Sequence, residues 1–338
     1  MKRVTIKDVA ERAGVSTATV SHVINNTRHV EENTRNLVEQ SMNDLRYHPN
    51  SLARSLRSGE TKTIGLIVPD VSNLFFADIA RRIENLGYEH GYSVILCNSG
   101  NDLKKQRTYI DTLTAKQVDG VIFISAGEST EDLERLSKSN TPIVVADRVV
   151  PLSLADVVLL NNEEAGYTAT KHLIDLGHTK IGCITGPSDV SPSMQRVSGY
   201  RRALEENDIR FKDKYVTAGD FTYRGGNEGM KRLLSQPDRP SAVFVLNDMM
   251  AIGAISTARS LGYRVPEDVS IVGFDDIELA NAVNPALTTM AQPMQELADV
   301  ATKRLIEKLL SSEGNWENQK FVLHAKLVVR ESTAPWEK

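Results

Sequence analysis

The sequence predicts an α/β protein, with a small all-helical headpiece at the amino terminus followed by two doubly wound parallel-sheet subdomains. Three observations carry that prediction. Residues 4–28 read as two short amphipathic helices joined at Gly14. From Thr63 onward, short apolar runs alternate with helical patterns: 64–68, 94–97, 121–124, 143–145, 181–184, 243–246 and 270–274, the signature of parallel strands with helices on both faces. Part of this pattern then repeats. Residues 61–67 (TKTIGLI) return as 179–184 (TKIGCI), and 118–123 return loosely as 240–244, so two similar lobes are expected.

In the first helix, three- and four-residue spacing puts Ile6, Val9, Ala10 and Ala13 on one face. Gly14 supplies the left-handed backbone that an abrupt stop demands, and Ser16 is the expected cap of the second helix. On that helix Val20, Val23 and Ile24 face inward, leaving Thr17, Ala18, Ser21 and His22 to enter a DNA major groove. Ser16, Thr19 and Asn25 are expected to position the helix on phosphates, with Arg28 joining the same face. A third helix over 32–45 offers Val38, Met42 and Leu45 to close a small core. The plain alternative is a helical hairpin with no nucleic-acid role. Charge argues against it: residues 1–58 hold nine Lys+Arg against six Asp+Glu, while the whole chain holds 40 against 44. Cationic character is therefore concentrated where phosphates would be met.

Three blocks, 5–10 (TIKDVA), 15–21 (VSTATVS) and 47–56 (YHPNSLARSL), resemble the lactose and galactose repressor family. The resemblance extends over all 338 residues. It implies a helix-turn-helix DNA-binding headpiece at 1–46, a hinge helix and linker at 47–60, and a periplasmic-binding-protein-like core for effector binding and dimerisation at 61–338. One subdomain would comprise about 61–161 plus 293–325, the other about 162–292 plus 326–338. Between Pro49 and Gly59 lie about two helical turns, a length marginal for an isolated helix. Such a segment folds when two copies pair on DNA, coupling the core to binding. By the resemblance, Ala53 and Leu56 meet the minor groove, with Leu56 as the wedge that opens a central base step. It also places Ile252 and Val283 at a homodimer seam.

Composition limits the alternatives. With 41% hydrophobic and 25% charged residues, the chain suits a headpiece and a large core. No stretch reads as a membrane span, and residues 1–5 lack the pattern of a secretory signal, so a cytoplasmic protein is expected. Cys97 and Cys183 read as buried free thiols. Enzymes that act on sugars also use Asp, Asn and Arg in clefts, and Asp147, Asp275 and Asp276 fit acid and base roles on paper. Yet the sequence has no phosphate-binding loop, metal-spaced histidine pair or nucleophile elbow. No catalysis, cofactor or metal is expected. The last residues, 330–338, carry no leucine heptad, so a tetramerising helix is not expected.

Ligands of open parallel sheets bind beyond the carboxyl ends of the strands. Polar and aromatic residues cluster there: Asn73, Phe75 and Phe76 after the first strand, Asp147 and Arg148 after the fourth, then Arg196, Phe221, Asn247, Asp275 and Gln292 in the second lobe. Rings cover apolar faces, and forked polar groups suit vicinal hydroxyls. Each has an ordinary alternative: core for Phe75 and Phe76, a helix cap for Asp275, surface for Arg196. The set also resembles ribose-binding periplasmic proteins and ribose repressors, whose counterparts of these ten residues contact a pentose. Purine repressors carry an arginine and a threonine where this chain has Val190 and Pro192. Ribose repressors often carry tryptophan where this chain has Arg148. The expectation is a sugar-controlled repressor of a catabolic operon, with ribose or a close pentose as effector and a hexose or nucleoside as the alternative.

Overall fold

The computed structural model describes residues 4–47, 59–124, 130–311 and 316–337. Ala53 and Leu56, with the hinge helix expected around them, lie outside the described residues. The chain divides into two compact units, Met1–Thr61 and Lys62–Lys338.

The first unit holds helices α1 (Ile6–Ala13), α2 (Thr17–Asn25) and α3 (Glu32–Asp44). Asp8 accepts hydrogen bonds from the Thr5 amide and hydroxyl, both at 2.7 Å, and fixes the start of α1. Gly14 closes α1 at φ 66°, a conformation that costs a side chain dearly. Val9, Ala10, Val20, Val23 and Val38 form the buried centre, with Ile6, Ala13, Ile24, Met42 and Leu45 around it. The expected inward faces are these.

The second unit starts with β1 (Thr63–Val68), α4 (Leu74–Glu89), β2 (Ser93–Asn98), α5 (Leu103–Ala115), β3 (Gly120–Ile124), α6 (Glu131–Lys138), β4 (Ile143–Ala146) and β5 (Asp156–Leu160). It continues with α7 (Asn162–Asp175), β6 (Ile181–Thr185), α8 (Ser191–Glu206), β7 (Val216–Ala218), α9 (Tyr223–Leu234), β8 (Ala242–Val245), α10 (Asp248–Ser260), β9 (Ser270–Asp275), α11 (Glu278–Ala282) and β10 (Thr288–Ala291). Finally α12 (Met294–Leu310) and β11 (Lys320–Leu323) return to the first sheet, and β12 (Lys326–Val328) to the second. The sheets run β11-β5-β4-β3-β1-β2 and β12-β10-β9-β8-β6-β7. Every pairing is parallel except β10 with β12.

Alternation on β1 explains the two helical layers. Ile64, Leu66 and Val68 pack with Ile79 and Ile83 of α4 and Leu305 of α12, whereas Ile67 joins Ile110, Leu113, Leu133 and Leu136 of α5 and α6. A strand buried on both faces reads as an unbroken apolar run. That is why β1, β3, β4, β6, β8 and β9 stand out in the sequence. By contrast β7, β11 and β12 are short edge strands with partly exposed residues, β5 starts on Asp156, and β10 starts on two buried threonines, so their runs do not.

Neighbours β2 and β3 flank β1, and β7 and β8 flank β6. Chain direction across each sheet reverses at these points, opening a crevice at the carboxyl ends where ligands of such folds sit. The chain passes between the sheets after β5, after β10 and between β11 and β12.

Candidate effector site and nucleic-acid interface

At the carboxyl ends of the strands the second unit buries five charged residues, Asp147, Arg148, Arg196, Asp248 and Asp275, each no more than 6% exposed. Arg196, near the start of α8, is the centre. Its Nε donates to Asn162 Oδ1 at 2.8 Å and Nη1 to the Leu246 carbonyl at 2.7 Å. The guanidinium also stacks 3.6 Å from the Phe274 ring centroid. Burial favours its neutral form, and the charges of Asp275, Asp147 and Asp248 oppose that. A buried cation persists because it is paired.

The carboxylates respond in kind. Burial lifts Asp147 to about 6, against the pull of Arg196 and the Asn162 amide. Asp275 accepts from Gln292 Nε2 at 2.7 Å; burial pushes it to about 7, with Arg196 and Gln292 opposing and Asp147 adding to the rise. Asp248 is raised by burial and then by Asp275, although it accepts from the Thr289 hydroxyl at 2.6 Å and the Ile277 amide at 3.0 Å. Asp147 Oδ1 and Gln292 Oε1 are buried acceptors without a hydrogen-bond partner.

Backbone strain collects at the same loops. Asp147 (φ 58°), Phe221 (φ 64°), Asp275 (φ 122°) and Asp276 (φ 63°) all lie in the left-handed half of the map, which costs non-glycine residues about 1–3 kcal/mol each. Asn247 caps α10 by accepting from the Met250 amide and donates to the Phe221 carbonyl, both at 3.0 Å. Its amide thus holds the Phe221 loop. The Phe221 ring covers Gly186 so closely that a methyl group there would overlap it.

Not every expected residue reaches this cluster. Phe75 is 3% exposed and packs in the core beside Ile79 and Ile83, edge-on to the half-buried Phe76 at 5.0 Å. Asn73 caps α4, accepting from the Phe75 amide at 3.0 Å. Sequence reasoning misses two residues of the cluster, Asn162 and Asp248. Both follow an asparagine at a helix start and so read as capping residues.

Glycines set the distances. On α7 and α8, a methyl at Gly166 would overlap the Arg196 carbonyl, and one at Gly199 the Glu163 carbonyl and Tyr167 amide. The two helices therefore cross backbone on backbone, which brings Asn162 within reach of Arg196. Gly226 and Gly253 do the same for α9 and α10. Among the described residues no cluster suited to a metal occurs, and no helix is long and apolar enough to cross a membrane.

On the first unit, Ser16, Thr17, Ala18 and Arg28 are exposed, and Thr19, Ser21, His22 and Asn25 half-buried. Ser16 accepts from the Thr19 amide at 3.1 Å as the expected cap. Asn25 donates to the Ser21 carbonyl at 2.8 Å, and His22 Nδ1 pairs with the Thr27 hydroxyl at 2.9 Å. Thr17 and Ala18 stand foremost, on the first turn of α2.

A helix-turn-helix unit joined to two doubly wound lobes with a charged ligand crevice defines an effector-controlled DNA-binding regulator. Residues 5–50 match the model of the bacterial regulatory proteins of the lacI family, and 170–333 match a periplasmic binding protein-like domain. The chain is 42% identical to the HTH-type transcriptional repressor PurR of Vibrio vulnificus (strain CMCP6) over 329 residues, 97% of this chain and 98% of that one. The lac repressor dimer bound to operator and the anti-inducer ONPF superposes with a TM-score of 0.86, at 29% identity over 98% of this chain and 100% of that one. A LacI family regulator from Enterococcus faecium with bound ribose gives 0.74, at 32% identity over 81% and 100%. The chain belongs to the LacI family and is a DNA-binding transcriptional repressor. The expected closeness to ribose-responsive members is not confirmed: a ribose-bound family member is among the similar structures, but repressors named PurR match at higher identity.

Proposed function

We propose that this repressor binds its operator as a cytoplasmic homodimer through the exposed face of α2, and that a small, uncharged, hydroxyl-rich ligand around Arg196 controls that binding. Support for a dimer comes from the operator-bound lac repressor dimer, to which the chain is similar. The effector reading rests on one observation: Asp147 Oδ1 and Gln292 Oε1 are buried acceptors that no protein donor meets. Orphaned acceptors cost about 1–3 kcal/mol each, and a ligand hydroxyl or N–H relieves that cost. The two buried arginines, Arg148 and Arg196, are matched by Asp147, Asp248 and Asp275, so the site offers no surplus positive charge for a phosphate or carboxylate, and a free pentose or hexose suits it better than its phosphate ester.

A purine base is the second reading, favoured by the 42% identity to a repressor named PurR. Against it stand Val190 and Pro192, at the positions where purine repressors carry an arginine and a threonine. A thermal-shift screen of the full chain with pentoses, hexoses, their phosphates and purine bases separates the readings. A ligand at a hundredfold its Kd adds about 2.7 kcal/mol to stability. Stabilisation by a free sugar and not by its phosphate is expected; stabilisation by a purine base alone overturns the sugar reading.

A further inference from the structure

We propose that Asn162 is a positioning residue of the effector site: seated where the chain leaves the first sheet for the second, its amide holds Arg196 beside Asp147 at the crossing between the lobes. It rests on the effector reading for its consequence, and on geometry for its existence. Asn162 directly follows Asn161, the cap of α7, and opens that helix, which packs on α8 and touches β8, β9 and β10. It is 3% exposed. Its Oδ1 accepts from Arg196 Nε at 2.8 Å and its Nδ2 donates to the Leu160 carbonyl at 3.4 Å, and its nearness also favours the charged form of Asp147, which follows β4 of the other lobe. Asp147 follows a strand of the first sheet and Arg196 lies on a helix beside the second, and Asn162 stands where the chain crosses between them. Gln292 has the corresponding place at the second crossing: it follows β10, precedes α12 and donates to Asp275. Amides suit these positions because each offers a donor and an acceptor without adding charge.

The test compares Asn162→Leu, the milder Asn162→Ser, and Thr170→Val in the full chain. Thr170 is a control: it is fully buried on the same helix and donates to the Gly166 carbonyl, away from the charges. The charged groups facing Asp147 are Arg148 beside it, Arg196 from α8 and Asp275 from β9, with Asp248 from α10 beyond Arg196. Without the amide, ionised Asp147 loses a favourable partner, so its ionisation costs more in the folded state. Loss of Tm for both Asn162 variants is therefore expected to be larger near pH 8 than near pH 5.5, by about 2 °C or more, while Thr170→Val loses the same Tm at both. D-Ribose is the ligand probe. If the wild type binds it, Asn162→Ser should weaken binding about tenfold with Thr170→Val unchanged. If the wild type does not bind it, the sugar reading fails and the ligand-free pH comparison decides the proposal alone. A pH-independent loss in both Asn162 variants overturns it.

Discussion

Replacing Asp275 by asparagine should make the ligand-free protein more stable at alkaline pH while abolishing its response to effector. The Asp275 carboxyl is held at about 7 against an ordinary 3.8. A folded-state value raised above the unfolded one means that the folded protein binds the extra proton. Stability is then lost as pH rises from about 4 to about 7, and the loss is complete above that window. About three units at somewhat over 1 kcal/mol each give roughly 4 kcal/mol at pH 8, of which somewhat more than a third is already present at pH 5. The asparagine has no such titration and still accepts from Gln292. Its advantage over wild type should therefore grow by about 2–3 kcal/mol between pH 5 and pH 8. Urea denaturation of both proteins at the two pH values reads this directly. An equal difference at both would refute the claim that a buried, ionising Asp275 is a cost carried for ligand binding.

The helix crossing gives a test with opposite signs. Gly199→Ala should gain about 1 kcal/mol from helix propensity alone, but overlap with backbone atoms of α7 should dominate and cost about 1–3 kcal/mol, lowering Tm and displacing Arg196. Far from the site, Lys308 pairs with the fully buried Asp156 and donates to Asn318 at 2.6 Å. Lys308→Met should cost about 3 kcal/mol in chemical denaturation, the lower end for a broken buried pair, because Arg304 still faces Asp156 at 2.9 Å. On the headpiece, exchanging Thr17, Ala18 and His22 together should change the preferred operator, at about 1–3 kcal/mol for each base no longer read. An unchanged site-selection profile would exclude this face of α2 from base reading.

Sequence reasoning reaches as far as local physics does. Gly14, Ser16 and the three- and four-residue spacing of Ile6, Val9, Ala10 and Ala13, and of Val20, Val23 and Ile24, dictate the two helices through interactions within a few residues of each other. The doubly buried strands are equally plain, because a strand covered on both faces must be apolar throughout. Three of the four edge strands are not, since β7, β11 and β12 are short and expose part of their surface, whereas the edge strand β2 keeps a legible apolar run at 94–97. Site residues divide along the same line. Arg196, Asp147 and Asp275 can be proposed because charged side chains after apolar strands are conspicuous. Asn162 and Asp248 cannot: each stands at a helix start, where a polar residue is ordinary. Phe75 is open to either reading, and only the packing of α4 on β1 sends it to the core. Nothing in the sequence tells that Arg196 and Asn162, 34 positions apart, share a hydrogen bond. That depends on a backbone-on-backbone crossing of α7 and α8 at Gly166 and Gly199, and on burial deep enough to make the charges act on one another. Local spacing determines which elements form and which face they bury. Which polar groups meet, and how far their protonation is displaced, is decided by distance and dielectric, and those exist only after the two lobes have closed around their crossings.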